Sequence, residues 1–197
     1  MNYVCFIGNA EDTGFRIRLE RLFRKHFPVD VIDDESIVMD ASGENTGIDT
    51  AFTIITGAAL SGGNSGSKRG AVRSVVKIDN SVLVFGENAT TLPQGITGRN
   101  LTGILTQSNH RLTESLKNAN IPVLTCGMSQ KDTVTYSSFT GDKLVVSLQR
   151  RLKTPHGVTV EPFEMPIALD SREDIIPALV FFAICAEYGT IDKNLLG

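Results

Sequence analysis

Three short segments carry the residue types that could do chemistry. The first is Gly8-Asn9-Ala10-Glu11-Asp12-Thr13-Gly14, which follows the apolar run Asn2 to Ile7. A glycine-bearing loop between a strand and a helix can wrap its amides around a ligand, and the amides that open the helix carry partial positive charge. A phosphate cradle also needs a Lys for the β/γ-phosphates and a Ser/Thr for Mg²⁺. No Lys-Thr pair is present, and Glu11 and Asp12 put negative charge where phosphate would sit. The second segment holds Asp40, Ser42, Glu44 and Asn45, just beyond the apolar Ile37-Val38-Met39. Ligands of parallel α/β sheets bind at the carboxyl ends of the strands. Gly8, Asn9, Asp12, Thr13, Gly14, Asp40, Ser42 and Asn45 are therefore the candidate ligand-binding set. Short polar groups and carboxylates without a basic residue suit a cation, a hydroxylated or amine-bearing ligand, or a partner's basic side chain. The plainer alternative is that Asp12 or Thr13 caps the helix and Asp40 ends a strand. The third segment, Ser61 to Gly70, contains Lys68 and Arg69 among glycines and serines. It reads as a surface loop or an anion-binding loop.

Other reactive side chains are dispersed. Cys5, Cys126 and Cys185 are far apart and set among apolar residues, with no basic neighbour in sequence. They read as buried thiols in a reducing compartment. His26, His110 and His156 show no metal-ligand spacing, so no metal or other cofactor is expected.

The elements that would position these residues follow from apolar patterning. Asn2 to Ile7 suits a strand buried on both faces. Phe15, Leu19, Leu22, Phe23 and Phe27 make one apolar helical stripe, closed by Pro28. Ser36 to Ala41, Ala51 to Thr56, Val82 to Phe85, Leu101 to Leu105 and Ile121 to Cys126 are further strand candidates. Leu112, Leu116 and Ala119 mark a helix capped by Ser108 or Asn109. After Gly127, Thr133 to Phe139, Lys143 to Gln149 and Val158 to Leu169 predict adjacent strands, with turns at Gly141-Asp142 and Pro155-His156-Gly157. A closing helix is expected from Asp174 to Tyr188, with Pro177 in its first turn and Gly189 beyond its end. This order predicts an α/β three-layer sandwich on a mainly parallel sheet, with a small antiparallel sheet in the C-terminal third. Residues 1–197 read as one domain.

Composition narrows the function classes. The 197 residues are 41% hydrophobic and 21% charged, which is ordinary for a globular chain. A net charge of −3, with no long run of one sign, argues against nucleic acid and a charged membrane surface. No apolar stretch reaches the roughly 18 residues of a membrane span. No basic region opens the chain, so a cytoplasmic protein is expected.

Several segments resemble the central, ATP-handling domain of the Mur ligases and their folylpolyglutamate synthase relatives. Ile121-Pro-Val-Leu-Thr-Cys-Gly-Met-Ser-Gln-Lys-Asp132 is similar to the family's strand-glycine segment "pvitfGl…d". Ile37-Val-Met-Asp-Ala-Ser42 resembles "vvmEvSS", and Ala51 to Thr56 resembles the strand before "TNi…DHLD". The resemblance implies an α/β nucleotide-binding fold. It also shows departures: the family's "GTNGKTT" is replaced by Gly8 to Gly14, and its metal-binding Glu by Asp40. Its "DHLD" has no counterpart. Counted back from Gly189, the adenine-binding asparagines fall at Asp174 and Pro177 and the histidine at Glu173. The family's flanking ligase domains are also without counterpart. The chain is thus expected to be a non-catalytic Mur-ligase-like domain that binds an unknown protein or small ligand. An enzyme with a repurposed site around Asp40, and a scaffold subunit of a homo-oligomer, are the alternatives.

Overall fold

The computed structural model describes residues 2–33, 52–56, 76–92, 96–106, 109, 111–154, 157 and 159–191. The strand expected from Ser36 to Ala41, the loop expected from Ser61 to Gly70 and the site candidates Asp40, Ser42 and Asn45 lie outside them.

The chain opens with β1 (Asn2–Ile7), a 3-10 turn (Ala10–Asp12) and α1 (Thr13–His26). Next come β2 (Val29–Asp33), β3 (Phe52–Thr56), β4 (Val76–Lys77), β5 (Ser81–Phe85), β6 (Ile96–Thr97) and β7 (Thr102–Thr106). Then follow α2 (Leu112–Asn118), β8 (Val123–Cys126), β9 (Val134–Thr140), β10 (Lys143–Leu148), β11 (Leu152–Lys153), β12 (Thr159–Val160), β13 (Phe163–Ala168) and α3 (Ile175–Glu187). Among the described residues, nine strands form one sheet in the order β13-β10-β9-β8-β7-β5-β1-β3-β2. Neighbours from β2 through β9 run parallel, whereas β10 pairs antiparallel with both β9 and β13. The antiparallel part expected after Gly127 therefore extends the main sheet, and β11–β12 adds a separate antiparallel pair.

Strand side chains alternate between the two faces, and both faces are covered. On one face Val4, Phe6, Val82, Val84, Ile104 and Leu124 join a core with Leu19 and Phe23 of α1 and nearly all of α3. On the other, Cys5, Ile7, Leu83, Phe85 and Leu105 pack with Leu112 and Leu116 of α2. These are the three layers: α1 and α3, the sheet, and α2. The two helices of the first layer meet edge to face, with the Phe23 and Phe181 ring centroids 4.9 Å apart. Every residue of α3 except Ile176 is buried, so its all-round apolar character is used inside the fold. Its end follows the left-handed glycine cap. Gly189 has φ 65°, and the Thr190 N–H donates to the Cys185 carbonyl at 2.9 Å.

Three local expectations change. Among the described residues β2 is an edge strand, which the apolar pattern did not reveal because Asp30 and Asp33 interrupt its valines and isoleucine. The segment expected as one strand from Val158 to Leu169 splits into β12 and β13, which pair with different partners. Asn109 does not cap α2. Its amide donates to the Gly86 carbonyl at 2.8 Å, and α2 begins after Arg111 without a side-chain cap.

Candidate functional site

The loop after β1 is held by its own carboxylate. Asp12 is 2% exposed. Its Oδ2 accepts the Asn9 N–H at 3.0 Å, and its Oδ1 accepts the Asn88 N–H at 3.2 Å and the Asn88 side-chain amide at 3.1 Å. Asn9 Oδ1 in turn accepts the Glu11 N–H at 2.8 Å. This is a reciprocal N-terminal box in which Asn9 caps the 3-10 turn and Asp12 reaches back. The helix cap expected at Asp12 or Thr13 is thus displaced three residues upstream, since Asp12 makes no side-chain cap bond to α1.

Two glycines make room for this carboxylate. A Cβ on Gly8 would lie 2.8 Å from Asp12 Oδ2, and one on Gly86 would lie 2.4 Å from Asp12 Cγ. Gly14 is part of α1, not of the loop. Asn9, Glu11, Thr13 and Gly14 are exposed. The loops after β1 and β5 are therefore joined through Asp12, and Asn109 extends the connection to the segment after β7.

The same device recurs at the end of β8. Asp132, 4% exposed, accepts the Ser129 N–H at 3.0 Å, while Ser129 Oγ accepts the Lys131 N–H at 3.2 Å. Asn-x-x-Asp and Ser-x-x-Asp at the ends of two parallel strands are the sequence signal that would have identified both loops. The Thr106 hydroxyl, at the end of β7, is buried with no hydrogen-bond partner among the described residues.

The positions that the resemblance matches to adenine-binding side chains are in ion pairs or in the core. Asp174, 1% exposed, accepts from the single Arg21 Nη2 through both carboxylate oxygens, each at 2.9 Å. Glu173 pairs with Arg18, and Pro177 is buried in the first turn of α3. These contacts fasten α1 to the start of α3.

No thiol is poised to react. Burial raises the pKa of Cys5 and of Cys126, and pushes Cys185 up to about 12 against a hydrogen bond with Thr190. Among the described residues no group of three or more His, Cys, Asp or Glu could hold a metal ion. No helix among them is long and apolar enough to cross a membrane.

One buried ionisable group escaped the sequence reading. Glu187, 2% exposed at the end of α3, accepts a 2.6 Å hydrogen bond from Thr102 Oγ1 through Oε1. Its Oε2 is buried with no partner among the described residues. Burial raises its pKa, and the Thr102 bond offsets part of that rise. Glu187 and Thr102 lie at the amino-terminal edge of the sheet, opposite the Asp12 loop.

No protein-family model matches the sequence, and no curated protein sequence matches it. Solved structures do match. The UDP-N-acetylmuramoylalanyl-D-glutamyl-2,6-diaminopimelate--D-alanyl-D-alanyl ligase from Acinetobacter baumannii is similar over 100% of this chain, with 9% identity and a TM-score of 0.53. A crystal structure of MurF from Acinetobacter baumannii is similar over 99% of this chain, with 10% identity and a TM-score of 0.49. The chain spans 45% of the first of these proteins and 44% of the second. At this identity the likeness concerns the fold, and the fold is Mur-ligase-like.

Proposed function

We propose that the chain is a single, cytoplasmic, non-catalytic Mur-ligase-like domain without a working ATP site, which acts by binding a protein or a small ligand. The observation that carries this reading is the Asp12 knot. In a phosphate-binding loop the free amides after the first strand face the ligand's negative charge. In this chain the Asn9 amide, after the first strand, already faces the Asp12 carboxylate of its own loop, and the Asn88 amide after β5 faces it too. The glycines that could have let a phosphate approach hold that carboxylate instead. A triphosphate would have to displace a buried carboxylate with three hydrogen bonds, and the Gly8 to Gly14 segment offers no Lys-Thr pair to compensate. The ion pairs at Asp174 and Glu173 support the same reading, because these side chains are committed to Arg21 and Arg18.

Titration calorimetry with Mg·ATP tests the proposal. No binding tighter than about 1 mM, roughly −4 kcal/mol, is expected. Micromolar affinity, or turnover of ATP to ADP, would overturn it.

A further inference from the structure

The donors that hold the Asp12 carboxylate are fixed by bonds in which its side chain has no part. In the loop after β1, Asn9 Oδ1 accepts the Glu11 N–H, and the Asn9 carbonyl accepts the Asp12 N–H at 3.1 Å. After β5, the Gly86 N–H donates to the Ile7 carbonyl at 2.8 Å. The Gly86 carbonyl accepts the Ala89 N–H at 3.2 Å and the Asn109 side-chain amide at 2.8 Å. The Asn9 N–H, the Asn88 N–H and the Asn88 side-chain amide therefore converge on one carboxylate from two segments far apart in the sequence. Neither Gly8 nor Gly86 brings a side chain that could fold into this place, and even a Cβ there would collide with the carboxylate. All three donors are neutral. They match the single negative charge of a planar carboxylate, and no Lys or Arg is among them to balance a phosphate dianion.

We infer, on the reading that Asp12 closes this loop to nucleotides, that the junction is a preformed anion site for one small carboxylate and that Asp12 is its tethered occupant. The wild-type loop is thereby autoinhibited, because an external anion meets a site already filled. Removing the Asp12 carboxylate leaves a hole the size of formate, lined by three donors that have lost their acceptor. A buried hole opened by a shortened side chain takes up a small molecule that matches its lining. Alanine suits the backbone at this position, where φ is −83° and ψ is −1°.

Sodium formate is the probe, and sodium chloride at equal concentration is the control. Each is added to Asp12→Ala and to the wild type during urea unfolding, with samples equilibrated from the unfolded side so that a buried hole can fill. In about 0.5 M formate the folded-to-unfolded ratio of Asp12→Ala should rise at least about tenfold over chloride, beyond any change in the wild type. That rise corresponds to a dissociation constant of about 50 mM. Phosphate at the same ionic strength should give no such excess, being too large for the hole and without a cation to balance it. Adding Asn88→Ala to Asp12→Ala removes one donor and should cut the formate excess at least about threefold. Equal responses of Asp12→Ala and wild type to formate would overturn the inference. So would an equal excess with phosphate, or an excess that Asn88→Ala leaves unchanged. If Asp12→Ala is unfolded in chloride, its refolding in formate but not in phosphate becomes the readout, and failure to refold counts against the inference. Mg·ATP calorimetry on the wild type judges the closure of the loop itself, so the two readings fail separately.

Discussion

Asp12 and Glu187 are both 2% exposed, and they sit at opposite edges of the same sheet. Asp12 is surrounded by donors: two backbone amides and one side-chain amide, with two glycines clearing the space. Glu187 has one hydroxyl and an orphaned oxygen beside a cavity. The carboxyl edge, where a nucleotide would be sought first in such a fold, has spent its conspicuous acid on joining loops. The amino edge, which drew no notice in the sequence, keeps an acid with capacity to spare. A buried acid is therefore read by how its oxygens are satisfied, and its location in the fold comes second.

The largest test of this contrast removes Asp12. Asp12→Ala leaves three donors at a buried junction and should destabilise the chain by about 3 kcal/mol in urea unfolding. Asp12→Asn, which keeps an acceptor, should lose less. A loss under about 0.5 kcal/mol in Asp12→Ala would show that the loop does not depend on its carboxylate.

A smaller effect is expected from filling the space that Asp12 occupies. Gly86→Ala places a Cβ against the carboxylate and should cost about 2 kcal/mol. Combined with Asp12→Ala it should cost much less than the sum, because the clash disappears with the side chain. Additive losses would mean that Gly86 matters for another reason.

Glu187 should respond in the opposite direction. Its folded-state pKa lies above the ordinary value of 4.5, so the stability linked to it is fully present below the unfolded value. That stability is lost as pH rises through the folded value. Glu187→Gln removes this dependence and should be more stable than wild type at neutral pH by about 1 kcal/mol. Below about pH 4 the two should converge. Thermal unfolding of both proteins across this range checks the sign. A wild type that gains stability relative to Glu187→Gln as pH rises would contradict the contrast between the two acids.

Much of the architecture was legible from apolar patterning. Runs such as Val82-Leu83-Val84-Phe85 must be covered on both sides, and they lie in the middle of the sheet. The helix from Asp174 to Tyr188 was bounded nearly to the residue by Pro177 and Gly189, whose backbone demands are local. β2 was not legible, since an edge strand is half solvated and its acidic residues resemble a loop. The candidate site was legible only in part. The Gly8 to Gly14 loop stands out by composition, but whether Asp12 turns outward or inward depends on Asn88, which is 76 residues away. Glu187 gave no local sign at all. It sits between Ala186 and Tyr188, and its partner Thr102 is 85 residues distant.

The position of α3 has a consequence for how the chain comes together. β1 lies between β3 and β5, and α3 packs on β7, β8, β9 and β10, all of which precede it in the sequence. A ribosome releases every one of those strands before it releases the helix that covers them. Until Ile175 to Glu187 emerge, Ile104, Leu124, Val134 and Val146 lack the surface against which they pack. The growing chain must then wait as an open sheet with one apolar face covered only by α1, a form exposed to aggregation and to chaperones. A chain interrupted before Ile175 should collect in the insoluble fraction even though it carries every described strand of the sheet.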